Sequence, residues 1–398
     1  MDMKWPQPNM DFYKKATDPF NEVEVQNSGV LEADFFKYAN NFYEAAIVIV
    51  NKLIGSESKH TGIAELDLWY FALIYLYRQS LELLLKANIF KLVQGEQDRK
   101  DIIGEVRHDV GAAFDKILEV SGVDISNDDN AKWLQTFLHD ISRIDRESDM
   151  FRYPFGSNLR VLFQDQTQIS LPATYYNMSR AFHALEGFYQ TQQFTKGDYP
   201  EYEPKLIVEG GEYYQSSVVG YKYHSRSFHP YYTSYEECAK YLTAYIKRTG
   251  KDHLFMPMCY LYRNTIELLL KSIIFEFSNQ SWQGKCSIAY RYKHSICHLL
   301  KNVDTYAIQF YGIEDQNNYI SNMVRYCKIL HEFDADSSKF RYPIDKKCSP
   351  YIHVERHYNF VAIGDFLKAL ASAIDGVHSE IDYRKDVLDT LCAEYIKR

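Results

Sequence analysis

The chain has 398 residues, roughly enough for two or three domains with cores of their own. Its 46% hydrophobic and 25% charged content is that of a soluble globular protein, and a net charge of −8 argues against broad binding to polyanions while leaving room for a local basic groove. No apolar run reaches membrane-spanning length, the opening MDMKWPQPNM lacks the apolar core of a signal peptide, and the seven cysteines, odd in number and all in the second half, do not suggest a disulfide framework. A cytoplasmic protein with no membrane association is expected.

Residues 1–29 are polar, carry Pro6, Pro8 and Pro19, and read as an arm. From Leu31 apolar residues recur at helical spacing up to Gly55. A second helix is expected over about Ala64 to Val93, apolar round most of its circumference and therefore central. Two more follow, His108 to Val120 and Ala131 to Ile144, the latter capped by Asp129 or Asn130. RVLFQ (160–164) reads as a short strand, 175–194 as a helix, and Lys205 to Phe228 as two or three strands. Beyond Ser234 come a helix with a Ser cap and a Gly stop at Gly250, then a long helix with Pro257 in its first turn. Further helices are expected at 295–311, 315–333, 353–374 and 378–398.

The long helix is written twice. YLYRQSLELLLKANIF, from Tyr75 to Phe90, returns as YLYRNTIELLLKSIIF, from Tyr260 to Phe275, with 11 of 16 positions identical. Two more anchors follow in order: His108 and His294 open helices, and Phe-Arg-Tyr-Pro at 151–154 recurs at 340–343, each time after an acidic segment, DRESDM or DADSSK. Arg78 and Arg263 lie 185 residues apart, the two histidines 186, Arg152 and Arg341 189. A repeat of that length is a duplicated domain rather than a solenoid unit. The expected architecture is mainly α: an N-terminal arm (1–29), a helical bundle (30–158), a helix plus small β connection (159–232) and a second bundle with a C-terminal helix (233–398), the two bundles packed as an internal pseudo-dimer with the β insertion between them.

Each half thus reads as helix, long helix with Arg-x3-Glu-x3-Lys, His at a helix start, helix, Arg-Tyr-Pro turn. This order resembles the HEPN superfamily of small α-helical bundles, in the branch with a Glu-x3-Lys element (Glu82/Lys86 and Glu267/Lys271), a His-Asp-Leu-like helix start and an Arg-Tyr-Pro-like close. The match covers about residues 31–155 and 234–345. The resemblance implies dimerising bundles of defence or toxin systems, often RNA-cleaving. Its nuclease signature, Arg-x4–6-His, is met by Arg325 and His331 in the second half, where the first half has Thr136 and Ser142. Arg248 and His253 also fit the spacing but straddle the predicted Gly stop.

In the repeat helix, Arg78, Glu82 and Lys86 stand at i, i+4 and i+8, as do Arg263, Glu267 and Lys271, so each trio lines one face. The plain reading is a salt-bridge ladder; the sharper one is a polar seam joining the Arg-Tyr-Pro turn to Asp145 or Asp334. His108 and His294 are read as helix-start residues or, functionally, as bases near neutral pH. Arg152 and Arg341 tie a turn together or clamp a phosphate. In a nuclease His331 would take the 2′-hydroxyl proton and Arg325 would hold the phosphate, without a metal. Cys286, His294, Cys297 and His298 lack paired zinc spacings, so no metal or cofactor is expected. YKYHSRSFHPYY (221–232) interleaves aromatics with basic residues, as single-stranded nucleic-acid binders do, and equally suits packed strands. The expected function is a nucleotide- or nucleic-acid-sensing or scaffolding module of a bacterial defence or toxin-type system, with RNA, a nucleotide or a protein of that system as partner, and a homo-oligomer. The alternative is a metal-independent ribonuclease acting through Arg325 and His331.

Overall fold

The computed structural model describes residues 7, 10–55, 62–156, 161, 163–194, 200–220, 227–345, 347–352 and 354–396. The chain is mainly helical, with two small two-stranded sheets among these residues. Part of the proposed strand at 160–164, and residues 221–226 of the aromatic-basic stretch, lie outside them.

Both halves run through the same order of elements, except that a 3-10 turn (Asp252–Leu254) stands in the second where the first has a short helix. In the first, β1 (Glu22–Val25) leads to α1 (Leu31–Leu53), a short α2 (Ile63–Leu68), the central α3 (Tyr70–Leu92), α4 (Glu96–Val106), α5 (Val110–Ser121), α6 (Asp129–Ile144), the Arg-Tyr-Pro turn, β2 (Thr167–Ser170) and α7 (Leu171–Thr191). The second repeats this as β3 (Ser216–Val219), α8 (His229–Thr249), the central α9 (Phe255–Phe277), α10 (Trp282–Tyr292), α11 (Ile296–Val303), α12 (Tyr319–Phe333), the turn, β4 (Arg356–Asn359) and α13 (Phe360–Ile396). In each half the central helix is enclosed by the first helix and the last, α1 and α7 around α3, α8 and α13 around α9. A helix apolar all round has no face to spare for water, which is why α3 and α9 are buried along nearly their whole length.

Local chemistry sets the ends. Asp109 caps α5 by accepting from Ala112 N at 3.0 Å, and Gly122 stops it with φ +67°. Asp128, not Asp129 or Asn130, caps α6, accepting from Ala131 N. α8 starts at His229 with Pro230 in its first turn, so Ser234 is interior, and its hydroxyl accepts from Ala72 N. Two helices were not expected from sequence, α4 and α10, and the two expected at 353–374 and 378–398 form the single α13.

The strands are exchanged between halves. β1, which leads into α1, pairs antiparallel with β4 of the second half; β3, which leads into α8, pairs antiparallel with β2 of the first. The arm is therefore not loose: besides β1 it sets Phe12, 1% exposed, between Phe333 and Phe366 at ring distances of 5.1 and 5.2 Å. Likewise α7, placed by the sequence in a connecting region, packs on α3. The halves also meet through α3 against α8 and α1 against α9, and equivalent tyrosines stack at their junction, Tyr75 on Tyr260 at 4.8 Å and 24°. Among the described residues no helix is long and apolar enough to cross a membrane.

Candidate functional site

The repeated ladder is buried, and its carboxylate is the hub. Glu82 Oε2 accepts from Arg78 Nη1 at 2.7 Å, and Oε1 from Lys86 Nζ at 2.6 Å and His108 Nδ1 at 2.9 Å. A fourth donor comes from the other half: the hydroxyl of Tyr342, in the second Arg-Tyr-Pro turn, reaches Oε1 at 2.8 Å. The second hub mirrors it. Glu267 takes Arg263 Nη1 at 3.0 Å, Lys271 Nζ at 2.7 Å, His294 Nδ1 at 3.0 Å and the hydroxyl of Tyr153, from the first half, at 2.7 Å. Each lysine also sits over the incoming ring, Lys86 4.8 Å from the centre of Tyr342 and Lys271 4.2 Å from that of Tyr153.

Each histidine is delivered by a backbone kink. α4 and α10 end on residues in a rarely populated conformation, Arg107 (φ 46°, ψ −102°) and Lys293 (φ 40°, ψ −92°). The turn aims the next residue's carbonyl at the central helix: His108 O accepts from Arg78 Nη2, and His294 O from Arg263 Nη2 at 2.5 Å. The other side of each arginine meets the acidic segment, Arg78 Nε lying 3.5 Å from Asp145 Oδ2 and Arg263 Nε 3.9 Å from Asp334 Oδ2. Those aspartates organise the turns: Asp145 Oδ1 accepts from the N–H groups of Asp149 and Met150, Asp334 Oδ1 from those of Ser338 and Lys339. Left-handed Ser148 (φ 58°) and Ser337 (φ 63°) then turn their carbonyls toward Arg152 Nε at 2.5 Å and Arg341 Nε at 2.6 Å. The two guanidiniums lie over the stacked tyrosines, Arg152 5.9 Å from Tyr75 and Arg341 5.6 Å from Tyr260.

The electrostatics follow from this crowding. Burial alone would raise the Glu82 carboxyl, but Lys86, His108 and Arg78 outweigh it and hold it well below the usual carboxylate range; Glu267 is held down likewise by Lys271, His294 and Arg263. Burial drives His294 down to about 4, with Lys271 and Arg152 adding to it against the pull of Glu267. His108 is also lowered: Glu82 pulls it up, but burial with Lys86 and Arg341 prevails. Burial raises Asp145 and Asp334 despite their arginines. A carboxylate only accepts, so each Nδ1 carries the hydrogen, and Nε2 is left as the acceptor of a neutral ring. The His108 and His294 side chains are 34% and 26% exposed over glutamates that are 3% and 0% exposed.

A cleft of about 710 Å³ gathers both histidines, His108 and His294, with Arg152, Tyr153, Lys271 and Lys293. Phe155, Phe228 and Phe275 form an apolar wall, and Glu147 and Asp149 add negative charge. Two neutral imidazoles and three cations beside a hydrophobic wall can hold an anion with an apolar portion, and a free Nε2 can accept a proton from a hydroxyl within reach.

Of the residues singled out in the sequence, Arg78, Glu82, Lys86, His108 and Asp145 come together, as do Arg263, Glu267, Lys271, His294 and Asp334, while Arg152 and Arg341 lie between the two sets. Arg325 and His331 face different surroundings. Arg325 Nη2 donates to Gln7 O at 2.9 Å. His331 is lowered by burial and by Arg263 and His298. His253 instead bonds Glu44 at 2.8 Å. The four potential zinc ligands have separate partners: His294 holds Glu267, His298 holds Ser295 Oγ, Cys297 Sγ lies 3.8 Å from Cys327 O and Cys286 lines the cleft. Sequence reading passed over Tyr153 and Tyr342, although both lie inside the repeated Arg-Tyr-Pro. It also passed over Ser148 and Ser337, spaced like the arginines. Searches of protein-family models, of curated proteins and of solved structures each returned no match to this chain.

Proposed function

We propose that the chain is a tandem of HEPN-like helical bundles packed as an internal pseudo-dimer, and that it serves a bacterial defence or toxin-type system by binding a nucleotide or RNA in the cleft between its halves. The observation that carries this reading is the convergence of equivalent residues from both halves, His108 and His294, on one cleft that also holds Arg152, Lys271 and Lys293. Cations in a recess of a protein with net charge −8 favour a compact phosphate group over a long polyanion. The exchanged tyrosines and strands support the pseudo-dimer, since each half supplies what the other's hub needs.

Fluorescence anisotropy with short single-stranded RNA and with nucleotides tests the proposal. Binding should weaken with salt and drop at least tenfold in Lys293→Gln. Equal affinity in the variant, or no binding of any probe, would remove the cleft from consideration. The alternative, metal-independent cleavage through Arg325 and His331, has less behind it, because Arg325 donates to Gln7 O and His331 is lowered by burial and by the charges of Arg263 and His298. RNA cleavage abolished by His331→Ala but retained by His294→Ala would restore it. For self-association, α13 leaves Tyr383, Val387, Leu388 and Leu391 40–66% exposed along one stripe, and light scattering of Leu388→Glu beside the parent tests whether a second copy covers it.

A further inference from the structure

A second cavity, of about 440 Å³, lies apart from the cleft, where the arm crosses the second half. Its aromatic lining includes Tyr13, Phe333 and Tyr351. Phe12 is fixed beneath them, whereas Tyr13 is 57% exposed and meets Phe12 edge-on at 5.1 Å, which leaves it ring surface to offer. Three cations line the same space, Lys15, Lys339 and Arg356, and none has a carboxylate partner among the described residues. Lys339 holds its ammonium 3.9 Å from the centre of the Phe333 ring, and burial lowers it, with Asp334 opposing and Arg356 adding to the effect. Glu332 is the one carboxylate in the lining, and the lining histidine, His357, is paired with Glu22 at 2.9 Å and Glu355 at 2.5 Å.

Unpaired cations gathered on one cavity repel each other, and a bound anion relieves that repulsion. The neighbouring rings add a surface for a flat apolar group, and the volume suits a small ligand. We propose that this cavity binds a small organic phosphate bearing a flat ring, the chemistry of a nucleoside monophosphate, with Lys15, Lys339 and Arg356 on the phosphate and the ring against Tyr13 or Tyr351. The site uses residues of the arm and of the second half alone, and does not depend on the cleft.

Calorimetry of the full chain carrying Lys293→Gln, so that nucleotide binding in the cleft does not contribute, with guanosine 5′-monophosphate and adenosine 5′-monophosphate, and with guanosine and inorganic phosphate as controls, tests it. A monophosphate should bind at one site at least tenfold tighter than either control. Adding Lys339→Gln/Arg356→Gln to that background should weaken it at least tenfold. Should the double variant not fold, Arg356→Gln alone, on an exposed strand residue, carries the same expectation. No saturable binding of either monophosphate in that background, or an unchanged affinity in the cavity variants, would overturn the assignment.

Discussion

Glu267 is a charge that four donors share, so its neutral isostere gives the sharpest test at the residue scale. Glu267→Gln leaves Arg263 and Lys271 buried without their counter-charge, which costs about 3–5 kcal/mol in comparable pairs. Urea unfolding at pH 7 should show that loss, and Tyr153→Phe, which removes one hydrogen bond to a charged group, should cost about 1.5–3 kcal/mol. The histidines add a pH dependence. A free imidazole titrates near ~6.5, and His294 in the fold at about 4. Between those values the unfolded chain holds the proton and the folded chain does not. Stability therefore falls as pH drops through that window, by at most about 1.4 kcal/mol per pH unit, and levels off below it. Unfolding at pH 7.5, 6.0 and 5.0 should give a shallower decline for His294→Gln than for the parent, with His108 and His331, both also lowered, contributing to what is left; identical declines would contradict the buried neutral ring. The ladders were legible in the sequence because i, i+4 spacing alone puts their charges on one face. The tyrosines were not: in a chain with 34 of them, one more reads as core filler, and nothing local reveals that it crosses to the other half.

At the scale of elements, the repeat exposed the long central helices and hid the short ones beside them. α4 buries Val106 and little else, and α10 buries no residue, so neither writes an apolar stripe. Gly376, a poor helix former, lies between the two helices expected at 353–374 and 378–398, but packing on α9 and α12 carries α13 through it. What α4 and α10 contribute is their ends. Arg107 and Lys293 hold positive φ, which glycine adopts without strain, so the conformation costs each of them about 1–3 kcal/mol. Lys293→Gly should raise the unfolding free energy by roughly 0.5–2 kcal/mol, the strain relieved less the extra entropy of glycine. Lys293→Ala keeps the strain and should bring no such gain. If both substitutions behave alike, the kink is not where the strain resides, and the two His carbonyls reach Arg78 and Arg263 by some easier path.

At the scale of the whole molecule, the exchanges make the halves interdependent. Each strand pair takes one strand from either half, and each glutamate hub takes a tyrosine from across the junction. A chain divided between residues 194 and 200 should therefore yield two fragments that do not unfold as cooperative monomers. Mixed in equal amounts they should form a one-to-one complex by light scattering and regain a single unfolding transition, because every exchanged contact is then restored. The second fragment carries its own answer to the missing partner. Its β3 and Tyr342 stand at the places in the repeat that β1 and Tyr153 hold, so a second copy can offer β3 to β4 and Tyr342 to Glu267. Residues 200–398 alone should thus run as a homodimer, weakened by Tyr342→Phe. In the mixed complex that same substitution touches only the Glu82 hub. A monomeric second fragment with a sharp transition would show that the exchanged contacts decorate two self-sufficient bundles rather than hold them together.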